Sequence, residues 1–590
     1  MLRKVLIAGS LALVLAAPAA ARTQTLMPGV TYEKGVQFTP HGPVAIHIVR
    51  GPRPTGLYAL RPTLSNETIQ GVERVTSMQR RLSASATMVG VNGDFYAGSG
   101  RPSGVLMRDG VVESPPYGDR SSTGITPEGA LDVRKVEFFG TWRGLGQRRT
   151  LNDLNQSPGP NDISLFTPSY GPATPLQPGV TEAVIFPFPP TAPNADLIGP
   201  VIQIAGSGGT PIPQGGAVLV ARGTTAQRLV EEAPAGTNVT LRLIFRPEWT
   251  GIANAVGGGP VLVRDGGPVF RAQEAFTSSQ LSPRSPRTGV GQLADGRVLM
   301  VVADGRRAGY SVGMTNFEFA QTMVRLGAVT GSALDGGGSS SLAFDGQLLS
   351  RPSDRGGERP VSNALQLMYY GVFAAAPEPV ISPNGDGYAE RQRELSYKVV
   401  RPSDVTATLF APGGEPAFTE TLRREPGTYP VAFPPVPIDP TVEPGPPAEG
   451  RWRLEVNATD DLGRPSTTTQ TFAVNNTLGF PRLSRRNLTV GKGRKQVIRA
   501  GVTLTRPARV VATVETKSGV KVATIAVRRL PAGRYSAGWR GTTRGGRFFV
   551  YGGMYQVRFR ATNELGAVEV VSKAFRVTRP APLKKKKPKR

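Results

Sequence analysis

The feature of the sequence that most restricts its fold is an internal repeat in the last third of the chain. The segment GRWRLEVNATDDLG, which begins at Gly450, recurs from Gly553 as GMYQVRFRATNELG. In both segments alternate residues are apolar, which is typical of a β-strand with one buried face. The Leu-Gly step at the end of each segment is typical of a turn into the next strand. A unit of about 100 residues built from strands and turns predicts two tandem all-β sandwich domains.

These two domains resemble the immunoglobulin-like modules that lie behind bacterial secreted enzymes and in flagellar hook-cap proteins. The run SPNGDG at 382–387 matches a sequence that often opens such modules. We therefore expect immunoglobulin-like β-sandwiches at 380–476 and 477–579. The run AAAPEP at 374–379 predicts a linker in front of them, and residues 580–590 form a basic tail.

The opening run of the first sandwich also carries candidate metal ligands. Asn384, Asp386 and Glu390 offer oxygen atoms of the kind that bind calcium. The spacing of a full calcium loop is absent, however, and Asn-Gly and Asp-Gly pairs strongly favour tight turns. The sequence therefore favours a turn here over a calcium site.

The first 21 residues have the organisation of an export signal. Two basic residues, Arg3 and Lys4, precede an apolar run from Val5 to Ala17. Ala19 and Ala21 then provide the small residues that a signal peptidase requires. The apolar run is short for a membrane span, so a retained anchor is the weaker alternative. We expect cleavage after Ala21 and a secreted or cell-surface protein that does not span the membrane.

The composition argues against several kinds of catalysis. The chain has no cysteine and only two histidines, His41 and His47. Thiol catalysis and cysteine-based zinc sites are therefore excluded, and a Ser-His-Asp triad or a histidine-rich metal centre is disfavoured. Without disulfides, each exported domain must be stabilised by burial of its own core.

The chain is strongly basic, with a formal net charge of +27, and the run Lys584–Arg590 is almost entirely basic. A stripe of interleaved aromatic and basic residues, as in proteins that bind single-stranded nucleic acids, is absent from the sequence. We therefore expect no nucleic-acid partner. The basic surface and tail predict salt-sensitive binding to an anionic cell-wall polymer, and a solvated surface without a partner is the alternative.

Residues 28–373 form a glycine-rich block of short apolar runs separated by turns. This pattern predicts one α+β domain that is β-rich with few helices. In its first polar segment an apolar run brings Asn92 and Asp94 to a turn at Gly93, where the backbone can approach a ligand closely. The glycines at 257–259 form a second segment, which is weaker because such loops are common.

The third polar segment predicts a hairpin with charged residues at its open end. It runs from Arg287 through a turn at Asp295-Gly296 to an apolar run that is followed by Asp304 and Arg306. Because an antiparallel strand folds back about as far as its partner went, Asp304 returns to the Arg287 end. These charges fit either a functional site or an ordinary surface salt-bridge cluster.

A helix is predicted to start at Thr315, directly after this hairpin. Thr315 and Glu318 have the spacing of a capping box, and Gly327 ends the helix. Glu318 therefore has a structural explanation that requires no catalysis.

The fourth polar segment gives the strongest signal for a site. The carboxyl residue Asp335 is followed by Gly336, Gly337, Gly338 and Ser339. Consecutive N–H groups in such a turn can form a nest for phosphate oxygens. Arg359 follows shortly after, and arginine has the side chain best shaped for phosphate.

The order of these segments resembles the phosphodiester glycosidase family, across most of residues 80–370. The residues that carry the resemblance are Val91 to Phe95, Arg287 to Gly291, Asp304 to Arg306, Glu318, Leu334 to Ser339, and Glu358 to Ala364. Asp94 departs from the pattern, because a second glycine is common at that position in the family.

The resemblance implies hydrolysis of a sugar-1-phosphodiester at the anomeric carbon, in a phosphodiester-linked glycan or a small sugar phosphodiester. Nothing in the sequence requires a metal, and we expect no cofactor. It implies that Asp304 and Asp335 are the catalytic carboxylates, with Glu318 as a third candidate. The substrate-binding residues that it implies are Asn92, Asp94, Arg287, Arg306, Gly336, Gly337, Gly338, Ser339 and Arg359. Such chemistry requires carboxylates near the anomeric carbon and cationic donors around the leaving phosphate.

Two other classes of function remain open. A non-catalytic protein that binds cell-wall polymers or exopolysaccharide would use the same pocket without turnover, although the four tryptophans do not cluster in the sequence. A metal-dependent phosphodiesterase would cleave the P–O bond instead. The sequence has no His/Asp ligand cluster for that reaction, although carboxylates alone can hold Mg²⁺.

Overall fold

The computed structural model describes residues 23–386, 395–435, 447–491, 496–543 and 548–579. The predicted export segment, the basic tail and Glu390 lie outside the described residues. The chain divides into two compact units, Met1–Tyr369 and Tyr370–Arg590. Strands dominate both units and helices are few and short. This confirms the predicted fold class, a β-rich first domain followed by all-β sandwiches.

The described residues of the first unit form four β-sheets. In spatial order, the first sheet has eight strands: Thr23–Met27, Val30–Thr39, Gly42–Gly51, Val298–Ala303, Arg287–Leu293, Ala328–Ala333, Val261–Arg264 and Gly267–Pro268. The second sheet, in the same order of neighbours, has eight strands: Arg149–Leu151, Glu137–Arg143, Asn238–Arg246, Leu197–Ala205, Val180–Ile185, Ala217–Arg222, Ile163–Phe166 and Asp153–Leu154. The third sheet has five strands: Val111–Ser114, Leu106–Arg108, Asn254–Val256, Ser121–Ile125 and Leu131–Lys135. The fourth sheet has five strands: Gln347–Leu348, Leu342–Phe344, Thr87–Asn92, Asn363–Tyr369 and Tyr58–Leu64.

Short helices connect these strands. The α-helices are Val75–Arg81, Thr224–Glu232, Ser278–Leu281 and Asn316–Arg325, and the 3-10 helices are Ser65–Glu67 and Gly337–Ser339. Across the residues that the structure describes, no helix has the length and apolar character needed to cross a membrane.

The first sheet brings the polar segments together at one end. Its strand Arg287–Leu293 pairs antiparallel with Val298–Ala303, and Arg287 lies opposite Ala303. This register confirms the predicted hairpin, because Asp304 follows at the Arg287 end. Ala328–Ala333 pairs antiparallel with the other edge of Arg287–Leu293, so Asp335 emerges at the same end of the sheet.

The helix Asn316–Arg325 packs on the first sheet and has the predicted capping box. Thr315 Oγ1 accepts a hydrogen bond from the Glu318 main-chain N–H (3.2 Å), and Glu318 Oε2 accepts one from the Thr315 N–H (2.9 Å). The buried face contributes Phe319 and its neighbours to the core of the sheet. Gly327 follows the helix with a φ of +98°, which the missing side chain allows.

The described residues of the second unit form two β-sandwiches, each made of a three-stranded sheet and a larger sheet. The sheets of the first sandwich are Phe373–Ala374, Leu395–Val399 and Gly427–Val431, and Val380–Ile381, Pro465–Val474, Gly450–Asp460, Ser403–Phe410 and Pro416–Arg424. The small sheet of the second sandwich has Leu478–Leu483, Ile498–Leu504 and Gly533–Trp539. Its larger sheet has Asn487–Thr489, Phe575–Thr578, Gly553–Asn563, Ala508–Thr516, Lys521–Leu530 and Gly566–Val571.

The internal repeat appears in the two sandwiches as equivalent strands, each of eleven residues with alternate positions buried for most of its length. The repeat also preserves a polar contact. Trp452 donates a hydrogen bond from Nε1 to the Ala448 carbonyl (2.9 Å), and Tyr555, at the matching position, donates one from its hydroxyl to the Tyr551 carbonyl (2.9 Å). Each sandwich therefore anchors its large core aromatic residue in the same way.

The second unit begins slightly earlier than the sequence indicates. Phe373–Ala374 pairs with Leu395–Val399, and both Val372 and Ala374 belong to the core of the first sandwich. Ala374, the first residue of the predicted linker at 374–379, therefore lies in a buried strand.

Asn384 and Asp386 form a turn within the second unit. Asn384 Nδ2 donates a hydrogen bond to the Leu478 carbonyl (3.2 Å), and Asp386 Oδ2 accepts one from the Phe480 N–H (2.8 Å). Gly385 between them has a φ of +77°. These contacts support the turn interpretation, since they fasten the opening run of one sandwich to the first strand of the next.

Candidate active site

Asp335 follows the strand Ala328–Ala333 and is fixed through its main chain. Its N–H donates a hydrogen bond to the Gly93 carbonyl (3.0 Å). Its carbonyl accepts one from the Asn92 side-chain nitrogen (2.7 Å). Both partners come from one segment, at the end of the strand Thr87–Asn92 of the fourth sheet, which is far from Asp335 in the sequence.

The side chain of Asn92 is occupied by protein partners. Asn92 is fully buried, and its Oδ1 accepts hydrogen bonds from Thr288 Oγ1 (2.8 Å) and from the Ser341 N–H (3.1 Å). With the bond to the Asp335 carbonyl, three of the four hydrogen-bonding positions of the carboxamide are used. Asn92 therefore positions the backbone of Asp335, rather than presenting a polar group to the cavity as the sequence suggested.

The Gly336–Ser339 loop forms a compact turn, and two of its N–H groups bond to main-chain carbonyls. The Gly337 N–H donates to the Pro286 carbonyl (2.9 Å), and the Ser339 N–H donates to the Gly336 carbonyl (3.3 Å). The glycines allow arginines to approach the loop closely: a Cβ at Gly338 would lie 2.0 Å from Arg359 Nη2, and one at Gly337 would lie 3.1 Å from Arg306 Nη2. The loop therefore gives the guanidinium groups space to approach. Its N–H groups form a less open nest than the sequence suggested, because those of Gly337 and Ser339 are already bonded.

Asp335 and the first two loop glycines line a cavity of about 310 Å³. Arg287 and Arg306 line the same cavity, and Phe95 and Phe276 contribute aromatic surface. The structure thus brings together four of the segments that the sequence singled out. A carboxyl group and two guanidiniums share one concave site.

The environment of Asp335 raises the pKa of its carboxyl group towards neutral pH. Burial raises its pKa to about 6, because the charged form loses hydration. A hydrogen bond from Ser339, the charge of Arg359, the Gly336 N–H and the charge of Arg120 lower the pKa and oppose this effect. Such a carboxyl group can exist in either protonation state near neutral pH, which suits proton transfer or nucleophilic attack.

Arg359 and Arg306 cover the glycine loop from outside. Arg359 Nε pairs with Asp354 Oδ2 (2.8 Å), and its Nη1 donates to Ser339 Oγ (3.4 Å). Arg306 is exposed and donates from Nη2 to Ser285 Oγ (3.2 Å). Because Arg359 is already paired with Asp354, Arg306 is the guanidinium of the two that is better placed to attract an anion to the cavity.

Arg287 is held by the main chain around it. It is only 8% exposed, and its N–H groups donate to the carbonyls of Met314, Gln280, Leu281 and Pro283. Burial, and to a smaller extent repulsion from Arg306, lowers the pKa of Arg287 to about 10, so the side chain stays cationic at neutral pH. Arg287 therefore fastens the segment beside the cavity and leaves a positive charge at its wall.

Asp94 lies near Asp335 but faces no open space. It is 2% exposed, and its two oxygens accept hydrogen bonds from the Gly104 N–H (2.6 Å) and the Phe95 N–H (2.8 Å). Burial raises its pKa to about 7, and the charge of Asp335 also acts to raise it. Asp94 thus holds the turn behind the cavity, and its proximity couples its charge to that of Asp335.

Asp304 is directed away from the cavity and into a buried polar cluster. Its Oδ2 bonds to His47 Nε2 (2.9 Å) and accepts from the Tyr310 hydroxyl (2.7 Å), and its Oδ1 accepts from the Arg351 N–H (3.1 Å). His47 in turn bonds through Nδ1 to the Tyr32 hydroxyl (2.8 Å). The hairpin places Asp304 at the expected end of the sheet. Its hydrogen-bond partner there is His47, which belongs to the neighbouring strand Gly42–Gly51.

The capping box and an ion pair account for the position of the Glu318 side chain. Besides its bonds to Thr315, it pairs with Arg284. This partner and the N–H groups of the helix start hold its pKa below the ordinary value in spite of burial. Glu318 is not among the residues that line the cavity.

Arg120 is a site residue that the sequence did not reveal. Its guanidinium stacks on Phe276 (4.5 Å to the ring centroid), Phe95 (5.0 Å) and Tyr117 (5.3 Å), and its charge acts on both Asp94 and Asp335. It comes from the loop before the strand Ser121–Ile125 of the third sheet, where an isolated arginine carries no motif. Only the folded arrangement identifies it.

The comparison with known families agrees with this geometry. Residues 198–368 match the family model of the phosphodiester glycosidases. This segment of the chain is therefore similar to a phosphodiester glycosidase domain, and Asp335, the glycine loop, Arg306 and Arg359 lie within the matched range. Asn92, Asp94 and Arg120 lie outside it.

Individual relatives cover limited parts of the chain. A segment of 119 residues is 34% identical to the SPbeta prophage-derived uncharacterized protein YomE of Bacillus subtilis, and covers 20% of this chain and 18% of that protein. A hypothetical protein from Synechocystis is structurally similar, with a TM-score of 0.50, 26% identity and coverage of 60% of this chain and 64% of the other. The zebrafish N-acetylglucosamine-1-phosphodiester alpha-N-acetylglucosaminidase catalytic domain has a TM-score of 0.32 and 13% identity, over 58% of this chain and 84% of that one.

Proposed function

We propose that this chain is a glycosidase that hydrolyses sugar-1-phosphodiester bonds at the anomeric carbon, in cell-surface or extracellular glycopolymers. The observation that supports this most strongly is the position of Asp335. Its carboxyl group lies on the wall of a cavity whose other charged residues are arginines, and its pKa of about 6 keeps it ionisable near neutral pH. A cationic cavity suits a phosphate, and a carboxylate suits the electron-poor anomeric carbon.

In this proposal the arginines bind the phosphate and stabilise it as it leaves. Arg306 lines the cavity, and Arg120 and Arg359 lie beside it, on Phe276 and against Ser339. Guanidinium groups fit phosphate oxygens well. The bond between the anomeric carbon and the phosphate oxygen breaks, and the water oxygen becomes bonded to that carbon. The phosphate remains esterified to its other alcohol as a monoester. Because phosphate leaves readily, a strong general acid is less necessary than for ordinary glycosides.

Asp335 is the proposed catalytic residue, and its ionised form would act at the anomeric carbon. The family resemblance also suggested Asp304 and Glu318. In this proposal both have structural roles. Asp304 would support the end of the hairpin, and Glu318 would cap the start of the helix that follows it. Asn92 would hold the backbone of Asp335, and Asp94 would hold the turn behind the cavity.

We further propose that the protein is exported, with cleavage after Ala21, and that its basic surface attaches to an anionic cell-wall polymer. The sequence of the first 21 residues and the net charge of +27 support these two proposals.

Hydrolysis in ¹⁸O-water tests the proposed reaction. The substrate is a sugar-1-phosphate methyl diester, and mass spectrometry locates the label. Label in the released sugar supports cleavage of the C–O bond. Label in phosphate would support a phosphodiesterase, and absence of any product from a panel of such sugars would support a non-catalytic binding protein. The Asp335→Asn variant serves as the background control.

A further inference from the structure

The second β-sandwich has a groove of its own. The groove has a volume of about 540 Å³ and lies where the edge strand Lys521–Leu530 of the larger sheet meets the edge strand Gly533–Trp539 of the three-stranded sheet. Two arginines, Arg499 and Arg540, line it with exposed side chains. The described residues that line it also include three with hydroxyl groups, Thr524, Thr542 and Thr543, and none with a carboxyl group.

The carboxylates of the second sandwich are all paired away from this groove. Residues 477–579 contain twenty-two lysines and arginines but only three carboxyl residues. Each of the three lies in an ion pair with an arginine that does not line the groove: Glu515 (2.8 Å) and Glu569 (3.0 Å) with Arg558, and Glu564 (3.8 Å) with Arg506. The two groove arginines are therefore not neutralised within their own sandwich, and their charges can attract an anion.

The positive charge belongs to the second sandwich and is not a requirement of the fold. Residues 380–476 form the same kind of sandwich with nine lysines and arginines and thirteen aspartates and glutamates. At the separation of the repeat, that of Gly450 and Gly553, the residue that matches Arg499 is Ser396. The strand can thus be built without an arginine at this position, so packing alone does not explain Arg499.

The chemistry of the groove fits the phosphate groups of a flexible chain. Guanidiniums donate paired hydrogen bonds to phosphate oxygens, and threonine hydroxyls can donate to the remaining oxygens. Among the described residues that line the groove, the aromatic one is Trp539, which is 3% exposed, so a nucleic-acid base finds no ring on which to stack. A concave site also receives a narrow polymer more readily than the flat surface of a bilayer.

We propose that this groove binds the phosphate groups of a polymer of polyols or sugars joined by phosphodiester links. The choice of polymer rests on the proposed function, because a glycopolymer with such links is the substrate proposed for the first unit. The inference extends that function by assigning attachment to a site, with Arg499 and Arg540 as its cationic residues, in addition to the net charge and the basic tail.

The test measures binding of poly(glycerol phosphate) to the full chain by titration calorimetry. This probe has phosphodiester groups but no anomeric carbon, so the proposed reaction cannot consume it. The double variant Arg499→Gln/Arg540→Gln should weaken binding by about ten- to a hundredfold, since two charge-assisted contacts are lost. Thr524→Val removes one hydroxyl and should weaken it about threefold. The matched control Arg509→Gln/Arg576→Gln removes the same charge from exposed positions of the larger sheet outside the groove and should change binding by less than about threefold.

All of these variants keep the basic tail, so a difference between them comes from the sandwich, and circular dichroism checks that each is folded. Equal weakening by the two double variants would overturn the groove in favour of unspecific attraction by net charge. Equally tight, groove-dependent binding of oligothymidylate or of phosphatidylglycerol vesicles would overturn the choice of polymer.

Hydrolysis of a small sugar-1-phosphodiester is measured separately from this binding. If the chain hydrolyses that diester but does not bind poly(glycerol phosphate), the groove is overturned and the proposed reaction stands. If binding depends on the groove but no diester is hydrolysed, the groove is supported and the proposed reaction is wrong.

Discussion

The side-chain nitrogen of Asn92 donates a 2.7 Å hydrogen bond to the main-chain carbonyl of Asp335, 243 positions further along the chain. The bond joins the end of a strand in the fourth sheet to the end of a strand in the first. It fixes the backbone from which the Asp335 side chain enters the cavity. Because it uses a carbonyl rather than the carboxylate, it leaves the Asp335 carboxyl group available for chemistry.

Asp335→Asn should abolish turnover of a sugar-1-phosphodiester while the chain remains folded. The amide cannot act as a base or nucleophile, so we expect kcat to fall by about 1,000-fold or more. Circular dichroism and the melting temperature check the fold. Asp265→Asn is the matched control, because Asp265 is an exposed turn residue with a φ of +50° that asparagine tolerates. An unchanged kcat in folded Asp335→Asn would contradict the assignment.

Activity should depend on pH through the ionisation of Asp335. If its carboxylate is the active form, kcat/KM should rise about tenfold per pH unit below pH 6 and level off above it. A pH profile of kcat/KM governed by a group with a pKa of about 4, the ordinary range of a carboxyl group, would contradict this expectation.

The same raised pKa predicts a pH-dependent effect on stability. The folded state holds the Asp335 proton more tightly than the unfolded state, so the wild-type chain should lose stability as pH rises from about 4 to about 6. Asp335→Asn avoids this loss. Its free energy of unfolding relative to wild type should therefore increase by on the order of 2 kcal/mol between about pH 4 and about pH 7. Denaturant titrations at both pH values measure it, and a constant difference would contradict the raised pKa.

Arg120→Ala should reduce kcat/KM by about ten- to a hundredfold, through loss of a charged contact to phosphate. It should also move the acid limb of the pH profile to higher pH, because the charge of Arg120 lowers the pKa of Asp335. Arg246→Ala is the control, since Arg246 likewise stacks on an aromatic ring, that of Phe139, but in the second sheet. A profile that does not shift would show that Arg120 has no electrostatic role.

Asp304→Asn should destabilise the chain more than it impairs catalysis. The substitution disrupts a buried bond to His47 and leaves polar groups without good partners, which costs about 3 kcal/mol in comparable cases. We expect kcat of the folded variant to stay within about tenfold of wild type, since the Asp304 carboxylate is directed away from the cavity. A stable variant that is as inactive as Asp335→Asn would restore Asp304 to a catalytic role.

Residues 22–369 alone should fold and keep kcat on a small soluble diester. The cut after Tyr369 leaves Phe373–Ala374 with the sandwich to which it is paired. Truncation should abolish salt-sensitive sedimentation with cell-wall material, because the removed part carries the basic tail. A folded but inactive fragment would show that the sandwiches help to build the site.

The sequence by itself determined the features that depend on neighbouring residues. The hairpin that returns Asp304 to Arg287, the capping box at Thr315 and Glu318, and the repeated strands all follow from spacing within one or two elements. Periodicity and turn chemistry specify such features without knowledge of the rest of the fold.

Only the tertiary structure decided which polar side chains face the cavity. Val298–Ala303 pairs with Gly42–Gly51, and Val302 lies opposite His47, so His47 becomes the partner of Asp304. The packing of the fourth sheet against the first turns Asn92 towards a carbonyl, and the third sheet brings Arg120 to the cavity. These outcomes depend on contacts between residues that are far apart in the chain, where the direction of a side chain is set by the element packed beside it rather than by its own neighbours in sequence.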